Sequence, residues 1–281
     1  MTRPTQRLRS ATRLPAAALA ALVLAAVPVR AADTRGAAPA APLLPPVLAE
    51  DFSSGWYVRG DVTASLFRRP AARYFDTVNF APGAWVDLRD TRAASTFGGG
   101  LGVGFKYKWL RLDTTLDIRS TARLSGSAPP EGNWAYVGPL PVPARTERFG
   151  VTAHSALVNA YVDLGGWGGI TPYVGAGLGT ARLAASAYVS TPVPVAAALG
   201  EATRTPNLVN TVKWTLAWAA MAGVTVDLSP QTKIDIGYRY THMGALRFAD
   251  TAGGAYRTTV AAHEIRIGLR YMFGDGVAAG H

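Results

Sequence analysis

Residues 110–119 read Leu-Arg-Leu-Asp-Thr-Thr-Leu-Asp-Ile-Arg, with even positions mostly apolar and odd positions nearly all charged. A strand sends successive side chains to opposite faces, whereas a helix gathers every third or fourth residue. The segment is therefore a strand with one apolar face and one charged face, and the fold must supply a different surrounding for each. Ile234–Tyr240 and Ile265–Phe273 repeat the pattern. From Phe97 to Tyr107 the apolar face is Phe97, Leu101, Val103, Phe105 and Tyr107, opposite Gly98, Gly100, Gly102, Gly104 and Lys106. From Trp214 to Leu228 it is Trp214, Leu216, Trp218, Val224, Val226 and Leu228.

The alternation predicts strands over 55–67, 95–108, 110–120, 148–164, 171–187, 211–228, 232–247 and 259–273. Their connections alternate in length. Those at 108–109, 165–170 and 229–231 are short, and those at 68–94, 121–147, 188–210 and 248–258 are long. Short turns on one side and long loops on the other characterise an outer-membrane barrel. The expected fold is an all-β, eight-stranded antiparallel up-and-down transmembrane β-barrel over 53–273. Its turns are periplasmic and its long loops extracellular, and the even strand count places both chain ends on the turn side.

No window after the N-terminal region offers an uncharged apolar run long enough for a membrane helix. That region reads as an address. Met1–Arg13 holds four arginines, 14–29 is rich in Ala, Leu and Val, and Val29-Arg30-Ala31 offers small residues where a signal peptidase cuts. The apolar run is shorter than the ~20 residues that a spanning helix needs. Residues 1–31 are thus a signal peptide cleaved after Ala31, the alternative being an anchor that stays attached. Residues 32–52 form an Ala/Pro-rich periplasmic tail and 274–281 a C-terminal tail.

The formal charge of +10 owes much to the leader, whose five arginines face no acid; without them 23 basic and 18 acidic residues remain. No basic tract carries the interleaved aromatics that grip nucleic acid. The absence of cysteine excludes a disulfide framework, thiolate metal ligation and a cysteine nucleophile.

A soluble lipocalin-like barrel would also alternate, with its apolar face turned inward around a ligand. Aromatic placement favours a bilayer. Trp56, Phe105, Tyr107, Trp109, Trp167, Tyr173, Tyr271 and Phe273 fall near the turn ends, and Phe67, Phe97, Trp214, Trp218 and Tyr240 near the loop ends, as two interfacial belts. The last strand agrees. Arg266, Gly268, Tyr271 and Phe273 resemble the C-terminal signal read by the barrel assembly machinery: a polar residue, glycine two positions on, then two alternating aromatics. That signal usually ends the chain, whereas here Gly274–His281 follow. The expected partners are outer-membrane lipid, the assembly machinery during biogenesis, and a surface ligand of unspecified chemistry, with no nucleic acid.

Several segments resemble the small porin-like outer-membrane proteins of alpha-proteobacteria, a branch of the opacity-protein-like barrel family. They are Gly55–Asp61, Trp109–Asp113, Asn159–Gly165, Thr171–Gly179 and Gly237–Tyr240, spread over about 53–273. The resemblance implies an integral outer-membrane barrel without enzymatic activity. Some members of the wider family are adhesins or haem-binding surface proteins, so it leaves the role open.

No catalytic, cofactor or metal site emerges. His154, His242, His263 and His281 lack the spacing of a helical metal motif, and they are expected on different faces or heights. His154 and Ser155 are adjacent, so a strand points them to opposite sides and denies them a base–nucleophile contact. Glycine runs such as Gly98–Gly100 and Gly175-Ala176-Gly177 lack the helix and lysine of a phosphate loop. They make room for long charged neighbours inside a narrow barrel. Parity sends Arg59, Lys106, Arg111, Arg119, Arg239, Arg266 and Arg270 inward, with Asp61, Asp113, Asp117, Asp163, Asp227, Asp235 and Glu264. Buried charges must pair, so this set is expected to be a charge ladder filling the lumen of a structural or surface protein. The alternatives are a narrow, weakly selective diffusion pore, or a surface adhesin or receptor using loops 68–94 and 121–147. The loops combine Arg68, Arg69, Arg73, Arg89 and Arg92 with Tyr74, Phe75, Phe80 and Trp85.

Overall fold

The computed structural model describes residues 54–68, 72–76, 84–128, 136–137, 140–141, 145–194, 197, 202–251 and 255–273. They belong to one compact unit, Leu48–His281. The expected leader 1–31, the expected tail 32–52 and residues 274–281, with His281, lie outside the described residues.

Eight long strands carry the fold among the described residues: β1 Gly55–Phe67, β2 Thr96–Tyr107, β3 Leu110–Arg119, β4 Arg145–Asp163, β5 Ile170–Pro192, β6 Val212–Asp227, β7 Thr232–Asp250 and β8 Ala255–Phe273. Each pairs antiparallel with its neighbour in the chain, and β8 returns to pair with β1 from Trp56↔Phe273 to Phe67↔Ala262. The ring is closed, so none of these strands is left as an unpaired edge, the condition for β-structure in hydrocarbon. The tight turns lie at one end. Lys108 adopts a positive φ of 53° in the β2–β3 turn. Between β6 and β7 the Thr232 amide donates to Ser229 Oγ at 2.9 Å.

In the half nearer these turns, the apolar face points out and the charged face in. Leu101 is 72% exposed, whereas Arg239 and Glu264 are wholly buried. Beyond that half the polarity reverses. Phe149, Val151, Leu183, Met243, Leu246, Phe248 and Val260 are buried inside, while Arg148, Arg247 and Arg257 are exposed outside. The upper half is thus built like a water-soluble barrel, on the same strands.

This upper half corrects the expected loops. Strands β4, β5, β7 and β8 run several residues further than the alternation predicts. Ala122–Ala128 resumes the line of β3 and pairs with the start of β4. Ala72–Asp76 pairs with the start of β8, Ala84–Asp87 pairs with Ala72–Asp76, Arg89–Ala93 with Ala122–Ala128, and Leu208–Val209 with the end of β7. The cause is a change of phase. The register shifts between Arg148/Gly150 and their β5 partners, where Ala187 has φ 49°. It shifts again between His242 and Ala245, where Gly244 has φ 79°. At 120–121 the inward set passes from odd to even positions. A bulge moves every later side chain to the other face, so alternation followed in one phase dissolves there.

Candidate functional site

The buried charges of the lower half form a continuous network. Strands β1, β3, β7 and β8 supply most of it, because their inward positions alternate long ionisable side chains with short ones. The glycines of β2 provide the space: a Cβ on Gly104 would lie 2.5 Å from Cζ of Tyr57.

One run of ion pairs starts at the upper limit of the charged zone. Arg119 Nε contacts Glu264 Oε1 at 2.7 Å, and Arg239 bridges Glu264 (2.5 Å) and Asp117 (2.9 Å). Arg266 bridges Asp117 (3.3 Å) and Asp61 (2.7 Å), and Arg59 bridges Asp61 (2.8 Å) and Asp113 (3.1 Å). A second run lies below. Asp163 takes Lys106 at 3.7 Å and Arg111 at 2.8 Å, and Asp235 takes Arg111 at 3.7 Å and Arg270 at 3.2 Å. Lys233 and Asp227 pair at 2.6 Å, with Asp227 the more exposed partner. Most carboxylates here serve two cations, the arrangement in which buried charge is compensated.

Tyrosines and an asparagine join the runs. Asp113 accepts from Tyr57 Oη (3.1 Å) and Asn159 Nδ2 (2.7 Å), and Arg59 donates to Tyr161 Oη at 3.2 Å. The Arg111 guanidinium lies 5.0 Å from the Tyr161 ring centroid and 4.7 Å from that of Tyr173, and Arg270 lies 5.3 Å from that of Tyr57. These are cation–π distances. Arg59, Tyr161, Tyr173, Asp235, Arg239 and Arg266 help line a cavity of about 10 Å³, room for one water at most.

Every charged residue that parity sends inward lies on this inner face. Parity also reaches Lys233, which shares a face with Asp235 and Arg239 but was absent from the expected set. The same logic finds Tyr57, two residues before Arg59. Tyr173 is a correction: it is 7% exposed and turned inward, not part of the turn-end belt. Its strand phase, shared with Thr171, decides this; an aromatic near a strand end is no guide alone. Phe67 likewise packs against the inner apolar cluster rather than joining the outer belt.

Arg266 and Gly268 of the C-terminal motif face the lumen, with Gly268 against the Asp61 carboxylate. Tyr271 and Phe273 face out, their rings in edge contact at 5.4 Å. The three described histidines share a face. His154, His242 and His263 all occupy the outer face: His242 stacks on Trp218, and His263 Nδ1 lies 2.6 Å from Tyr238 Oη. Ser155 points inward, between Arg119 and Asp117, away from His154. Among the described residues no three His, Asp or Glu side chains converge to hold a metal ion.

The family model described as "Outer membrane protein beta-barrel domain" matches residues 17–273. An uncharacterised protein of Brucella abortus (strain 2308) is 30% identical over 269 residues, covering 83% of this chain and 88% of its own. The outer membrane protein PagN of Salmonella typhimurium is 25% identical over 193 residues, covering 65% and 75%. The crystal structure of OprG from Pseudomonas aeruginosa aligns over 78% of this chain and 96% of its own, at 14% identity and a TM-score of 0.43.

Proposed function

Since the chain belongs to the outer-membrane β-barrel family and resides in the outer membrane, we propose that it is a non-conducting structural and surface protein whose lumen is a folded core rather than a path. The observation that carries this reading is the paired charge network, among whose side chains Arg59, Tyr161, Asp235, Arg239 and Arg266 line a cavity of only about 10 Å³. A conducting lumen needs mobile water and unpaired charge along its wall. Here guanidinium and carboxylate groups neutralise each other across the bore instead. No catalytic role is proposed, as His154 and Ser155 face opposite ways.

Single-channel recording on purified protein in a planar bilayer tests this. The expected trace is flat apart from brief events; stable unitary steps would replace this reading with that of a small diffusion pore. A second reading, surface attachment through the segment 68–94, is favoured by Trp85, 39% exposed beside the Arg73–Asp87 pair. Trp85→Ala should then weaken cell binding without altering the barrel.

A further inference from the structure

The two runs of ion pairs meet at the small cavity inside the bore. Arg59, Arg239 and Arg266 of the first run help line it, with Asp235 of the second and Tyr173. Its volume of about 10 Å³ is close to that of a single water-sized sphere.

Three side-chain atoms of these residues have no hydrogen-bond partner among the described residues: Arg239 Nη2, Arg266 Nε and Asp235 Oδ2. All three residues are more than nine-tenths buried. Buried polar groups in folded proteins are nearly always satisfied, by protein or by ordered water. The ion pairs on their other atoms keep these three from closing onto one another. Arg239 is held through Nε by Glu264 and through Nη1 by Asp117 at 2.9 Å. Arg266 Nη2 donates to Asp61 at 2.7 Å and to Asp117 at 3.3 Å. Asp235 Oδ1 accepts from Thr225 Oγ1 at 2.6 Å and from Arg270 at 3.2 Å. Swinging any of them toward the cavity would break charge-assisted bonds, the strong class of hydrogen bond.

Tyr173 brings a hydroxyl to the same part of the bore. Gly223 and Gly237 leave room for it, since a Cβ on either would lie 2.7 or 2.5 Å from Tyr173 Oη. The residues around the cavity therefore offer two N–H donors, one carboxylate acceptor and one hydroxyl that serves as either.

We propose that the cavity binds one water molecule, which accepts from Arg239 and Arg266, donates to Asp235 and Tyr173, and ties the two runs into a single network. The mixture of donors and acceptors selects this ligand. A halide would accept from the guanidinium groups but would also face the Asp235 carboxylate. A metal cation would face three guanidinium groups. An apolar guest would leave all three atoms unsatisfied. Water alone both accepts and donates, and buried waters typically make about three such bonds.

The test is a crystal structure of the whole barrel purified from the outer membrane, at a resolution that shows ordered water, from crystals grown with and without sodium bromide. The expected result is one peak within about 3 Å of Arg239 Nη2, Arg266 Nε and Asp235 Oδ2, with no anomalous bromide signal there. In lipid nanodiscs, protein labelled with ¹⁵N-arginine should show direct dipolar transfer from a long-lived water to the Arg266 Nε–H proton. A bromide signal at the site would overturn the proposal in favour of an anion. Side chains closed directly onto one another, with no peak and no dipolar transfer, would overturn it while leaving the plugged lumen intact. A file of linked waters running from the cavity to the turn end would overturn both the isolated site and the non-conducting reading.

Discussion

Arg239 shows what a single residue does here. It is fully buried and holds Asp117 and Glu264 at once. Arg239→Ala leaves both carboxylates short of a partner, and breaking a buried pair typically costs about 3–5 kcal/mol. Asp113→Ala removes the acceptor shared by Arg59, Tyr57 and Asn159 and belongs to the same range. Arg73→Ala breaks an exposed pair with Asp87, of a kind worth at most about 1 kcal/mol. Urea unfolding in detergent should therefore order the midpoints with Arg73→Ala nearest wild type and the two lumen variants well below; equal midpoints would mean that the inner charges face water. Gly104 is a steric counterpart, since any larger residue there meets the Tyr57 ring. Gly104→Val should cost about 1–3 kcal/mol, read by the same titration.

At the scale of the element, the bulge in β7 and the last strand carry the sharpest expectations. Gly244 sits at φ 79°, and a Cβ there would lie 2.9 Å from that of Thr215. Gly244→Val should destabilise by about 1–3 kcal/mol and disturb the upper half first, visible as faster proteolysis near 244–260 with the ring below intact. Tyr271→Ser with Phe273→Ser should lower the yield of folded barrel, by loss of outward interfacial aromatics and of the assembly motif. Removal of 274–281 should leave the yield unchanged; the opposite pattern would misplace the motif. Intact-mass measurement of protein from the outer-membrane fraction should show a start at or near Ala32. Where the phase is constant, elements were legible: β1, β2 and β3 lie within a residue or so of the alternation, and the inner charges follow from parity alone. The extensions of β5 and β7 were not, because the bulges at Ala187 and Gly244 exchange inner and outer positions. Ala122–Ala128 escaped for a similar reason, with its inward set on even positions after odd ones in β3. Tyr173 escaped because a belt aromatic and a lumen aromatic differ only in phase.

At the scale of the whole molecule, the account rests on one ring of strands that is inside-out in its lower half and conventional in its upper half. The lower half can face hydrocarbon because its outward side chains are apolar, while its charged side chains turn into the bore and form ion pairs there. The upper half keeps Phe149 and Phe248 in contact at 5.2 Å inside an apolar core. Phe149→Ala should therefore cost about 3–5 kcal/mol, as for a soluble core, checked by thermal unfolding in lipid. The reversal itself can be read directly, since the chain contains no cysteine. Single cysteines placed one at a time from 256 to 273 and spin-labelled in a lipid bilayer report access to oxygen, which concentrates in hydrocarbon, and to a water-soluble nickel chelate. The account predicts oxygen access at 265, 267, 269, 271 and 273, little access to either reagent at 264, 266, 268 and 270, and chelate access at 257 and 259. Chelate access at 264, 266 and 270 would contradict it, because the lumen would then hold water where the paired charges are placed.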